Sequence, residues 1–110
     1  MISRLLESEL LDDERFARRF AEDKRELSGW GSERIREALS ARGLPAELID
    51  GALAGEAEAE QVGRAAALLA ERGSAVDTEA ERARALSLLA RRGFPLEVAY
   101  EAVRERERAA

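Results

Sequence analysis

The chain predicts an all-α protein made of tandem three-helix repeats, with a period of about 50 residues. Two observations carry that prediction. The first is an internal repeat: Arg42-Gly43-Leu44-Pro45-Ala46-Glu47 returns as Arg92-Gly93-Phe94-Pro95-Leu96-Glu97. Apolar residues continue the match at Leu48/Val98 and Leu53/Val103, and upstream Arg34 stands opposite Arg84 and Leu39 opposite Leu89. The second is composition. Ala, Leu, Arg and Glu dominate, which is helix-former chemistry, and no segment alternates with the period of two that a strand requires. Stacked units of this kind cannot bury their apolar faces alone, and they work by presenting a long surface to a partner.

The elements follow in order. Residues 2–10 predict a short helix with Leu5, Leu6 and Leu10 apolar. Asp12 and Asp13 predict a fresh helix start, because carboxylates suit the positive end of a helix dipole. Phe16, Ala17, Phe20, Ala21 and Leu27 then form one apolar stripe. Ser28-Gly29-Trp30-Gly31 is a loop, Ser32 an N-cap, and the next helix turns Ile35, Ala38 and Leu39 inward. Gly43 supplies the stop and Pro45 the next start. A third helix runs to about Leu53, by the same reading of start and stop signals. The pattern restarts near residues 57–72 with Val62, Ala65, Ala66, Leu68 and Leu69. Thr78-Glu79-Ala80-Glu81 is a capping box, and Gly93-Phe94-Pro95 repeats the joint before a final helix. The expected organisation is therefore a leading helix over 1–11, left over from a preceding repeat, then units at 12–55 and 56–110, seven helices in all. Phe16, Phe20, Ile35, Leu39 and Leu48 should fill one core, and Leu68, Leu69, Leu88, Leu89 and Val98 the next.

Catalysis finds little support. The 110 residues contain neither His nor Cys, so the usual nucleophile–base pairs are absent. No glycine-rich phosphate cradle of the P-loop type occurs. Asp12, Asp13 and Glu14 are consecutive, so on a helix they point in different directions and read as a helix start rather than a metal site. No enzyme activity, cofactor or metal is expected. The longest apolar run, Ala65 to Ala70, is too short to span a membrane, and the N-terminal residues lack a secretory apolar core. A cytoplasmic monomer is the expectation.

Charge bears on the partner. The net charge is −5, and all the basic residues except Lys24 are Arg. Arg forms bidentate pairs with carboxylates and phosphates. The densest basic cluster is Arg18, Arg19, Lys24 and Arg25 with Arg34 and Arg36 of the next helix. Part of that cluster also reads as a solvated face with i,i+4 pairs. Trp30 between glycines is an anchor candidate for a partner, or a lid across the helix ends. Residues 32–54 have the outline of a helix-turn-helix, but the second helix, Ala46 to Leu53, offers two carboxylates and no cation or amide to a base edge. A DNA-binding module and a helical scaffold therefore remain alternatives behind protein–protein interaction.

Leu11-Asp12-Asp13-Glu14-Arg15-Phe16-Ala17-Arg18-Arg19-Phe20, then Gly31-Ser32-Glu33-Arg34-Ile35 with Leu39, Arg42-Gly43-Leu44 and Leu48-Ile49, resembles the RecX family of recombinase regulators. Arg91-Arg92-Gly93-Phe94 resembles that family's C-terminal unit. The resemblance implies a curved, right-angled helical array of about three repeats, of which the first is expected to be missing here. It implies a cytoplasmic, non-enzymatic protein of DNA repair, recombination and the SOS response. Such a protein binds the RecA filament and restrains its ATP hydrolysis, strand exchange and co-protease activity, with weak contact to DNA phosphates. Arg18, Arg19, Lys24, Arg25, Trp30, Arg34 and Arg36 are the partner-binding candidates.

Overall fold

The computed structural model describes the backbone of residues 2–109 and the side chains of residues 10–109. Six helices run through it: α1 (Ile2–Leu27), α2 (Ser32–Ala41), α3 (Ala46–Leu53), α4 (Glu58–Glu71), α5 (Glu79–Arg91) and α6 (Leu96–Ala109). No strand occurs among the described residues. The two triplets repeat one plan. The first helix of each lies along the third, α1 on α3 and α4 on α6, and the middle helix closes over the third. The result is a rod of 62 × 20 × 20 Å.

Each triplet has its own core. Ala17, Ala21, Ile35, Leu39, Ile49 and Ala52 fill the first. The second is larger and gathers Val62, Ala65, Leu69, Val76, Ala85, Leu89, Phe94, Val98, Ala99, Ala102 and Val103. In the first core the central positions of α1 are alanines with no exposed surface. Small side chains there leave room only at the flank for larger ones. Phe16 is consequently 38% exposed and Phe20 half-buried, where the stripe predicted both inside. Leu48, Leu68 and Leu88 are likewise half-buried, whereas Ile35, Leu39, Leu69, Leu89 and Val98 are buried as expected. The expected apolar contacts of Leu5 and Leu6 lie outside the described side chains.

The helix boundary expected at residues 11–12 is absent. Residues 2–27 contain no Gly or Pro, and an Asp inside a helix costs only about 0.7 kcal/mol relative to Ala. One continuous helix results, with Glu14 and Arg18 paired across a turn at 2.8 Å. That gives six helices rather than seven, and the leading segment is part of α1 rather than a separate leftover helix. No helix among the described residues is long and apolar enough to cross a membrane.

The glycine stops are as the repeat requires. Gly43 and Gly93 adopt φ of 86° and 90°. In both, the glycine N–H returns to the carbonyl three residues back, Ser40 or Ala90, and the next N–H to the carbonyl five back, Leu39 or Leu89. These are Schellman turns, and Gly73 makes a third with Ala70 and Leu69. The two repeat glycines differ in their surroundings. A Cβ on Gly43 would meet nothing, whereas one on Gly93 would lie 2.6 Å from Arg34 N. Gly43→Ala should therefore cost about 1 kcal/mol, the backbone term alone. Gly93→Ala should cost at least about 1 kcal/mol more, because overpacking adds to strain. Equal losses in urea titrations of the two variants would contradict the close approach.

Candidate functional site

Two features organise the surface: the joint between the triplets and a cation–aromatic cluster beside it. The joint begins at the N-terminus of α2. Its N-cap is Gly31, which has no side chain to cap with. The first N–H groups of a helix need partners from elsewhere. Here the second triplet supplies them. Gly31 N–H donates to Arg92 O at 2.8 Å, Ser32 N–H to Gln61 Oε1 at 2.8 Å, and Glu33 N–H to Gly93 O at 2.9 Å. Ser32, expected as the cap, is instead the first residue of the helix. Two of the three acceptors are carbonyls at the end of α5, so the positive end of one helix dipole meets the negative end of another. The approach is close enough that a Cβ on Gly31 would come within 2.5 Å of Gly93 O.

Side chains reinforce the joint. Arg64 Nη2 donates to Trp30 O at 3.0 Å, and Arg92 Nη1 to Ser28 O at 3.3 Å. The Arg64 guanidinium also lies 5.3 Å from the Phe94 ring. Glu56 sits in the linker between α3 and α4 with its side chain 8% exposed. Arg64 grips it with two bonds, at 2.5 and 3.0 Å, and Arg25 approaches from α1 at 3.5 Å. Arg25 also donates to Ala52 O and Leu53 O at the end of α3. Arg25 is thus 11% exposed and belongs to the interior wiring of the molecule, not to the free surface where the sequence cluster placed it.

The cation–aromatic cluster gathers Lys24, Trp30 and Arg34. Trp30 is half-buried and meets Phe20 edge-on, with centroids 6.2 Å apart. Lys24 Nζ is 4.6 Å from the Trp30 ring and Arg34 Cζ is 4.3 Å from it. Arg42, which the sequence marks only as part of the repeated Arg-Gly joint, lies 4.9 Å from the Phe16 ring and 5.4 Å from Phe20. Three cations therefore stand on three aromatic rings along one edge of α1 and α2. The indole is half-buried against Phe20 and flanked by Lys24 and Arg34. Of the other candidates, Arg18 is tied to Glu14, Arg36 pairs with Asp50 at 2.8 Å, and Arg19 is exposed. None of these three joins the cluster. On α3, the residues turned outward are Ala46, Glu47, Asp50 and Gly51. That face carries carboxylates and no base-reading group, and α3 itself is packed against α1.

Fold and surface together define an all-helical tandem-repeat protein that sets cations against aromatic rings on its first triplet. A family model described as "RecX, second three-helix domain" matches residues 12–53. The chain is 34% identical over 122 residues to the Regulatory protein RecX of Mycolicibacterium vanbaalenii, covering 98% of this chain and 66% of that protein. It is 41% identical over 86 residues to the Regulatory protein RecX of Deinococcus radiodurans, covering 77% of this chain and 41% of that one. The crystal structure of RecX from Lactobacillus salivarius shares the fold, with a TM-score of 0.79 at 23% identity over 96% of this chain and 71% of that one. The chain belongs to the RecX family of regulatory proteins.

The joint makes a stability prediction. Glu56→Ala leaves Arg25 and Arg64 facing each other without their shared carboxylate. Breaking a largely buried pair from one side costs about 3–5 kcal/mol. The variant should unfold at markedly lower urea. An unchanged midpoint would mean that the two guanidinium groups do not depend on Glu56.

Proposed function

We propose that this protein is a non-enzymatic, cytoplasmic regulator that binds the RecA recombinase filament and restrains its ATP hydrolysis, and with it strand exchange and co-protease activity. Membership of the RecX family supports the reading. The observation that carries the contact surface is the row of Lys24, Arg34 and Arg42 over Phe16, Phe20 and Trp30. Aromatic rings with flanking cations are the composition of interface hot spots. A cation held against a ring is already partly desolvated and positioned, so less ordering remains to be done on docking. The partner is an acidic surface of the filament, and complementary charge of this kind raises the association rate.

The domain reading is of two consecutive three-helix units, 12–55 and 56–110, with the leading residues carried on α1. The chain spans 66% and 41% of the two relatives' lengths. Two units present less surface than a longer relative does, so inhibition weaker than that relative's is expected.

Lys24→Glu, Arg34→Glu and Arg42→Glu together should abolish inhibition of filament ATP hydrolysis. The helical circular-dichroism signal should be retained. Arg25→Glu is a different test: it should lower the melting temperature, because Arg25 serves the interior. Arg18→Glu with Arg19→Glu should leave inhibition largely intact. If the first triple variant inhibits as well as the parent, the surface is elsewhere; if the parent does not touch the filament, the functional reading fails.

A further inference from the structure

The second triplet carries a surface of the opposite charge, and it does not depend on the recombinase reading. Phe16, Phe20, Trp30 and Phe94 each have an Arg or Lys of this chain at 5.4 Å or less from the ring centroid. Tyr100, the remaining aromatic residue, has none among the described residues, and it is 48% exposed. Leu96, one turn earlier on α6, is 62% exposed. Tyr100 and Arg104 line two grooves. One, of about 390 Å³, lies between α5 and α6 over Ala83, Leu86 and Val103. The other, of about 370 Å³, lies between α6 and the start of α4. Around them stand five carboxylates, Glu58, Glu79, Glu97, Glu101 and Glu107, and two guanidinium groups, Arg82 and Arg104. Both arginines are engaged. Arg82 faces Glu107 at 3.8 Å and donates to Val76 O and Asp77 O, and Arg104 pairs with Glu101. Glu58, Glu79 and Glu97 make no ion pair among the described residues, and all three are exposed.

An apolar floor with an uncompensated acidic rim selects its occupant. Three spare carboxylates repel phosphate chains and anionic lipid, because like charges set against each other are costly. A second copy docked face to face would bring Glu97 and Glu101 against their own copies. A basic segment meets neither obstacle. Leu96, Tyr100 and Arg104 stand at i, i+4 and i+8, a ridge about 12 Å long on one face of α6. A furrow between two helices takes a third helix laid along it, with apolar residues at i, i+3, i+4 and i+7 as anchors. Cations flanking those anchors would reach Glu58, Glu79 and Glu97. One of them over Tyr100 would supply the cation that the other aromatic rings already have from this chain. We propose that the α5–α6 groove around Tyr100 docks a basic amphipathic helix of a partner protein.

The test is fluorescence anisotropy of a labelled peptide with the full chain. The probe is a helix of about four turns, with Leu on one face at i, i+3, i+4 and i+7 and Lys on both flanks. It should bind, and binding should weaken with salt, because the flanking charges are exposed. A scrambled peptide of the same composition, which keeps the charge and loses the apolar face, should bind at least tenfold more weakly. Tyr100→Ser should weaken binding of the probe at least tenfold. Leu96→Ser should weaken it severalfold, and it keeps the test valid if the first variant folds poorly, since Leu96 is the more exposed of the two. Glu79→Gln with Glu97→Gln should weaken it severalfold and flatten the salt dependence. The Lys24, Arg34 and Arg42 reversal should leave it in place, which separates this groove from the filament surface. The proposal is overturned if the probe does not bind, if the scrambled peptide binds as well, or if the Tyr100, Leu96 and Glu variants bind it as the parent does. It is also overturned if a probe with Glu in place of Lys binds as tightly. Sedimentation of the parent as an oligomer that Leu96→Ser dissolves would overturn it too, by giving the groove to a second copy.

Discussion

Everything in the molecule that spans the two triplets depends on the meeting of the α2 N-terminus with the α5 C-terminus. Gly31, Ser32 and Glu33 give their N–H groups to Arg92 O, Gln61 Oε1 and Gly93 O. The corresponding helix start in the second triplet is built differently. There Thr78 Oγ1 accepts the Glu81 N–H at 3.1 Å, and Glu81 returns the favour to the Thr78 N–H. A helix capped by its own side chain needs no neighbour. A helix begun by glycine has N–H groups to share, and it finds partners only when the next unit is in place. The repeat is therefore asymmetric by chemistry: one unit donates and the following unit's glycine turn accepts. Glycine is required on both sides, at Gly31 so that the backbones can touch and at Gly93 for that reason and for its positive φ.

The joint also organises the charges. Glu56 would be an isolated carboxylate without Arg25 and Arg64, and those two would repel without Glu56. Together they close the linker between the triplets while costing little net charge. With the linker fixed, the two triplets are tied to each other through Arg25, Glu56 and Arg64.

Much of this was legible in the sequence. The repeat announced itself in Arg-Gly-apolar-Pro, the helix stops in Gly43 and Gly93, the capping box in Thr78–Glu81, and the inward residues in Ile35, Leu39, Leu69, Leu89 and Val98. What stayed hidden has physical reasons. Asp12 and Asp13 carry a local start signal, but its energy is small beside the continuity of a helix that contains no breaker. Phe16 and Phe20 lie on the apolar stripe, yet the close helix contact is made by Ala17 and Ala21, and a stripe does not reveal which of its members is central. Arg25 sits in a basic cluster by sequence and in the interior by structure, because its partners, two carbonyls of α3 and Glu56, are 27, 28 and 31 residues away. Arg42 joined the candidate surface only through space, across the Phe16 and Phe20 rings. The joint itself could not be read at all, since backbone donors and acceptors carry no residue signature; Gln61, interrupting the apolar face of α4, was the one clue.

The central claim is that the two triplets form one unit through the α2–α5 joint. Native-state hydrogen exchange at the amides of Gly31, Ser32 and Glu33 tests it most directly. First-turn amides of an ordinary helix are solvent-bonded and exchange early, because opening there costs almost nothing. The joint predicts that these three amides are protected to nearly the level of the Leu39 and Leu89 amides in the two cores, and that Gly93→Ala removes that protection selectively. Exchange of all three at the rate of free loop residues, with both cores still protected, would contradict the account and leave two triplets that merely share a chain.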